Sequence, residues 1–132
     1  MVIDSSALAA ILLDEPEQHR FDKLIEEDPV RLLSAVSWVE ISIVIEGRKG
    51  ESGVRELGLL LQRAHVEVVP LSLEQAEVAQ LAYRRFGKGH HPAKLNFGDC
   101  FSYALAKVGR EPLLCKGLEF EQTDLVLADK LP

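Results

Sequence analysis

The chain has 132 residues, 47% of them apolar, which is the size of one ordinary domain able to bury a core without disulfide staples. Its 15 basic and 21 acidic residues leave a formal charge of −6, which excludes a protein that holds nucleic acid mainly through its overall field. A local basic patch remains compatible with that balance.

Short apolar runs alternate with longer helical patterns, and there is no internal repeat, low-complexity stretch or interdomain linker. Residues 1–132 are therefore expected to form one α/β domain, a parallel sheet covered by helices. Residues 2–4 predict a first strand, followed at once by a helix through Ala7, Leu8, Ile11 and Leu12. Residues 14–16 break the chain, and Pro16 suits the first position of a second helix that carries Phe21, Leu24 and Ile25 and ends at Asp28-Pro29. Residues 31–36 read as a second strand, with Ser37 as N-cap of the segment after it. The β-branched residues of 38–46 favour a strand, but their place between a strand and Gly47 predicts a helix. Its neighbours Val39, Ile41, Val44 and Ile45 suggest that this helix is mostly buried.

A further amphipathic helix fits residues 54–63, and residues 66–71 read as a third strand. Ser72 with Gln75 three residues on is a capping-box signal for a helix running to about Phe86. Residues 87–92 form a loop with glycines and histidines, and Asn96 caps a helix from Phe97 that ends near Gly109. Residues 112–115 predict a fourth strand and residues 125–128 a candidate fifth. Cys100 and Cys115 form no CxxC pair and lie in apolar stretches, so they read as buried thiols of a reducing compartment. No basic leader precedes the first strand and no apolar run nears the roughly 20 residues that cross a bilayer, so a cytoplasmic location without membrane contact is expected.

Four acids sit where apolar or neutral residues are usual: Asp4, Glu40, Asp99 and Glu119. Each has an ordinary explanation. Asp4 can cap a helix, Asp99 can complement a helix dipole, Glu119 can be solvated, and Glu40 can leave the core along a polar stripe with Ser37. Their common position is what stands out. Ligands of open parallel sheets gather beyond the carboxyl ends of the strands, and Asp4 and Glu119 each come just after a strand. Several carboxylates in apolar surroundings are costly to ionise unless a cation meets them, and a divalent ion tolerates several at once.

The opening Met-Val-Ile-Asp-Ser-Ser-Ala-Leu, the Glu40 helix, the segment Leu95-Asn-Phe-Gly-Asp-Cys-Phe-Ser-Tyr-Ala-Leu-Ala and the ending Leu113-Leu-Cys-Lys-Gly-Leu-Glu-Phe-Glu-Gln-Thr-Asp-Leu together resemble a PIN-domain ribonuclease. More narrowly, they resemble the VapC-type toxins of bacterial toxin–antitoxin pairs. The resemblance covers essentially the whole chain. It implies a three-layer α/β/α PIN-like domain with a central, mainly parallel sheet of four to five strands. It also implies a magnesium- or manganese-dependent endoribonuclease that hydrolyses RNA phosphodiester bonds, a homodimer, and a cognate antitoxin that inserts a segment near the acidic pocket.

By position, Asp4, Glu40 and Asp99 match the three acids the family places around the metal. The fourth family acid is usually an aspartate before phenylalanine, and here that slot holds Glu119 before Phe120. Asp124, in the pair Thr123-Asp124 that such toxins often carry, is a second candidate. Ser5 matches a small polar residue that orients a carboxylate or a water. The resemblance thus implies Asp4 and Asp99 as principal metal ligands, with Glu40 and Glu119 or Asp124 as direct or water-mediated partners. Four acids without metal-spaced histidines suit Mg2+, or Mn2+ in its place, better than zinc.

The run from Arg84 to Lys94 contributes Arg84, Arg85, Lys88 and Lys94 without any acid and leads toward Asp99, a candidate for contacts with RNA phosphates. A solvated helix end and loop is the competing reading; Lys116 and Arg48 have less support. His90 and His91 lack the i, i+4 spacing that lets two imidazoles share an ion on a helix. Trp38, Phe97, Phe101 and Tyr103 read as core or interface. A response-regulator receiver is disfavoured because the stretch Val68-Val-Pro-Leu-Ser lacks a phosphate-accepting aspartate. A haloacid-dehalogenase phosphatase is disfavoured because Ser6 stands two residues after Asp4. The remaining alternative is a weakly active or inactive PIN-like scaffold that binds antitoxin and RNA.

Overall fold

The computed structural model describes all residues from Met1 to Pro132. Four strands, β1 (Val2–Ile3), β2 (Leu32–Ser34), β3 (Glu67–Val69) and β4 (Leu113–Leu114), form one sheet in the order β3-β2-β1-β4, with all neighbours parallel. Successive strand residues point to opposite faces, and the core divides accordingly. Ile3, Leu33 and Leu114 face a cluster with helices α1 (Ser5–Leu12), α2 (Gln18–Glu27) and α3 (Ala35–Arg63). Val2 and Leu113 face a second cluster with α4 (Leu73–Phe86) and α5 (Phe97–Gly109). The result is a three-layer α/β/α sandwich.

The chain winds from β1 outward through β2 to β3, then returns through α4 and α5 to place β4 on the other side of β1. The winding direction therefore reverses between β1 and β4, and such a reversal opens a crevice beyond the strand ends. Asp4 comes after β1 and Glu119 after β4, so the topology puts both acids at that crevice. The Asp4 amide donates to Leu114 O at 2.9 Å, which ties the two strand ends together.

Several local expectations change. Ser34, not Ser37, caps α3, its hydroxyl accepting from the Val36 amide. The second strand accordingly stops short of Val36, because that cap lets Ala35 and Val36 enter the helix. The segments 38–46 and 54–63 are both helical as expected, and within Ala35–Arg63 they are two helices joined by a kink at Gly50, whose φ of 65° and ψ of −158° are not helical. Burial of the first is one-sided: Ile41 and Ile45 lie in the core, while Val39 and Val44 are exposed. That division reflects the i, i+4 spacing of a helix that packs one stripe against the sheet.

Pro16 precedes the second helix, which starts at Gln18. The Ser72 hydroxyl caps α4 through the Gln75 amide, but Gln75 sends its own side chain to Pro70 O, so the box is half formed. The candidate fifth strand reduces to a single parallel bridge between Leu113 and Leu127, after which the chain makes a 3-10 turn at Ala128–Lys130. Cys100 and Cys115 are free and buried, their thiols pushed up by burial to about 11 and about 12. No helix is long and apolar enough to cross a membrane.

Leu33, fully buried in the central strand region, anchors the sheet face under α1 and α3. Leu33→Ala is expected to lower the unfolding free energy by about 2–5 kcal/mol, read by urea denaturation. A loss below about 1 kcal/mol would contradict this packing.

Candidate active site

Three helices start at the carboxyl edge of the sheet: α1 after β1, α3 after β2, and α5 ahead of β4. Their N-terminal dipole ends favour negative charge there. Asp4 is the N-cap of α1, 3% exposed, and its Oδ2 accepts the Ser6 amide at 3.0 Å. Its Oδ1 accepts the Ser102 hydroxyl at 2.6 Å. Ser102 is three residues along α5 from Asp99, hence on the same face, and its oxygen lies 3.0 Å from that of Ser37 at the start of α3.

Asp99 occupies the third position of α5 and forms the complete capping box of this chain. Asn96 Oδ1 accepts the Asp99 amide at 2.9 Å, and Asp99 Oδ2 accepts the Asn96 amide at 3.0 Å. One carboxylate oxygen is thus committed to the helix, leaving Oδ1 for the crevice. Glu40 accepts the Ser5 hydroxyl on Oε1. Its carboxylate lies against Gly98, where a Cβ would collide with it, so glycine at 98 is what admits the α3 acid to the start of α5. Glu119 opens the 3-10 turn Glu119–Gln122 and is exposed, its carboxylate folded back over Gly117. Gly117 has φ of 104°, a turn conformation that a side chain would strain.

The structure brings Asp4, Glu40, Asp99 and Glu119 together electrostatically. Burial, joined by the charges of Asp4, Glu119 and Glu40, raises the Asp99 carboxyl to about 7 against the opposing bond from Asn96. None of the four forms an ion pair, whereas Asp28, Glu111, Asp124 and Asp129 all do. Lys116, the nearest cation in sequence to Glu119, is bound instead by Glu15 and Glu17. The cluster therefore carries uncompensated negative charge.

Asp124 lies elsewhere. Its Oδ1 accepts the Tyr103 hydroxyl at 2.7 Å, and its Oδ2 meets Lys107 at 3.1 Å and Arg85 at 3.4 Å. Burial pushes its carboxyl up, but these donors outweigh it and hold the group below the usual range. Thr123 serves the local turn, donating to Phe120 O and accepting the Leu125 amide. The pair thus clamps the C-terminal segment to α5 and α4, which leaves the fourth corner of the cluster to Glu119.

Of the basic run, Arg85 is taken up by Asp124 and by stacking over Phe86, while Arg84, Lys88 and Lys94 are exposed and free of ion pairs. Lys94 and Glu119 line a common cleft of about 410 Å³ with Pro92, Ala93, Leu118 and Gln122. His91 Nδ1 accepts the Ala93 amide and His90 packs edge-on to Tyr83, so both histidines organise the loop. Phe101 and Tyr103 are core, but Phe97 is 75% exposed and forms an apolar shelf with Val39 and Ile43 beside Glu40. The buried hydroxyls of Ser37 and Ser102 are the site residues that sequence patterning missed. Their signal was a small polar side chain one helical turn from an acid on the same face.

The oxygen-only donor set fits a hard divalent cation. No three Asp, Glu, His or Cys side chains are close enough to enclose an ion among them. That spacing does not form a closed structural metal centre.

A carboxyl that titrates near 7 in the fold and near 3.8 when unfolded favours the folded state while protonated; that contribution is full below about pH 4 and is lost as pH rises through 7. In chelator, Asp99→Asn should therefore unfold at higher temperature than the parent at about pH 8. The gain is about 2 kcal/mol after discounting for solvent screening, shrinking toward zero near pH 4. A difference independent of pH would contradict the electrostatic cluster.

The PIN domain family profile matches residues 1–125. A ribonuclease VapC of Mycolicibacterium smegmatis is 57% identical over 125 residues, spanning 95% of this chain and 97% of the relative. Among solved structures, Mycobacterium tuberculosis VapC20, described as a Sarcin-Ricin loop cleaving toxin, superposes with a TM-score of 0.78 at 17% identity over 95% of each chain. A toxin–antitoxin complex from Klebsiella pneumoniae gives 0.71 at 18% identity, over 96% of this chain and 94% of that one. The two structures share the fold; the sequence match places this chain in the PIN-domain family, among the VapC ribonucleases.

Proposed function

We propose that the chain is the toxin of a toxin–antitoxin pair, an endoribonuclease that hydrolyses RNA phosphodiester bonds at Asp4, Glu40, Asp99 and Glu119 with Mg2+ or Mn2+. The observation that carries this reading is the cluster itself: four carboxylates on one sheet edge, none paired with a lysine or arginine. A divalent cation bound there supplies charge neutralisation, an acidified water and stabilisation of the leaving oxygen. Asp4 and Asp99 are the ligands this reading assigns, each having one oxygen fixed by a helix-capping bond. Glu40, which accepts the Ser5 hydroxyl, would bind the ion through water or help activate the attacking water, a role that this bond supports. Glu119, exposed and one methylene longer than aspartate, completes the rim through water. Asp124 and Thr123 support the site by fixing the segment beyond it.

Lys88 and Lys94, with Arg84 behind them, offer phosphate contacts along a strand that passes Glu119; Arg85, already paired, contributes less. The family relationship supports a cognate antitoxin and a homodimer. The exposed shelf of Val39, Ile43 and Phe97 beside Glu40 offers apolar surface to such a partner. A cytoplasmic location accords with the buried free thiols.

Asp4→Asn and Asp99→Asn keep side chains able to cap, so the fold should persist. Each is expected to lower magnesium-dependent cleavage of total cellular RNA by about two orders of magnitude or more. Undiminished cleavage by both variants would remove the assignment. Lys88→Ala/Lys94→Ala should weaken RNA binding and reduce the slope of log affinity against log salt by about 1–2. An unchanged slope would make the run a solvated loop.

A further inference from the structure

We infer that Ser102 and Ser37 form a directional buried relay that positions Asp4 for cation binding, a role that rests on the metal-site reading above. Ser102 is fully buried and Ser37 is 1% exposed. Each hydroxyl has one proton. That of Ser102 goes to Asp4 Oδ1, because an ionised carboxylate can only accept, and the 2.6 Å separation is that of a charge-assisted O–H···O bond. Ser102 therefore has only acceptor capacity left toward Ser37, so the 3.0 Å contact must carry the Ser37 proton toward Ser102. The order is fixed: Ser37 donates to Ser102, and Ser102 donates to Asp4.

The relay joins three elements. Ser37 lies on α3 one turn before Glu40, Ser102 lies on α5 one turn after Asp99, and Asp4 caps α1. Each of the two helices bearing a cluster acid thus spends a buried hydroxyl on the acid of the third. With Oδ2 held by the Ser6 amide and Oδ1 by Ser102, the Asp4 carboxylate plane is fixed from both sides. Its remaining lone pairs then present one geometry to an incoming cation. Outer partners of this kind tune metal affinity by about 10–100-fold. Ser102 is a positioning residue; it acts through Asp4.

Mn2+ binding to the purified protein, read from the electron paramagnetic resonance signal of free Mn2+, tests the relay without reference to catalysis. Ser102→Ala should weaken Mn2+ binding about tenfold and Ser37→Ala by a smaller factor. The double variant should match Ser102→Ala alone, because Ser37 has no other route to Asp4. Ser102→Cys helps separate bonding from packing, since it fills the site with a similarly shaped, somewhat larger side chain but supplies only a weak donor. The relay requires its affinity to fall close to that of the alanine variant; affinity at the parent level would make the residue packing only. Parent-like binding by Ser102→Ala, or additive effects in the double variant, would overturn the relay while leaving the metal site standing. Absence of Mn2+ binding by the parent protein would refute the metal-site reading and the relay with it.

Discussion

Burial of acidic side chains at the edge of the sheet, with their mutual repulsion added to it, is the constraint on which the site depends. Burial alone penalises Asp99 in its charged form, and Asp4, Glu119 and Glu40 add to the penalty. The fold offsets part of it with helix N-termini, which supply backbone amides and favourable dipoles where the acids gather. It supplies no side-chain cation. Every ion pair involving Lys116, Lys107 or Arg85 is directed at other acids, so the remaining charge is left for something that is not part of the chain.

The clustered acids also hold the local structure. Asp4 and Asp99 each give one oxygen to a cap, which fixes the side chain and starts the helix that positions the next acid. Glu40 is held by Ser5 and reaches the cluster because residue 98 has no side chain to obstruct it. Asparagine can replace either aspartate as a cap but cannot replace its charge. On the proposed reading, an asparagine at either position separates the capping role from the cation-binding one.

Much of this was legible in the sequence because it depends on periodicity and punctuation. The alternation of short apolar runs with helical stripes encodes the layered parallel sheet, and Asn96 with Asp99 three residues on marks a helix start that the fold uses in full. What was not legible depends on contacts between distant segments. Whether Ser34 or Ser37 caps α3 is a choice between nearby hydroxyls, decided by the first turn reaching back to the strand and freeing Ser37 for Ser102. Val39 and Val44 look like core residues until the packed side of the helix is known. Asp124 reads as a second candidate beside Glu119 until the positions of Tyr103, Lys107 and Arg85 show that two cations already neutralise it. The fifth strand failed for a related reason, since one bridge to Leu113 does not make a ladder.

If the charge cluster is a divalent-cation site held by Asp4 and Asp99, anomalous diffraction from crystals soaked in Mn2+, collected near the manganese edge, will reveal it directly. One principal anomalous peak is expected within coordination distance of Asp4 and Asp99, lost in the Asp4→Asn protein. A principal peak at Asp124 or at the histidine loop, or no peak beside Asp4, would contradict the assignment.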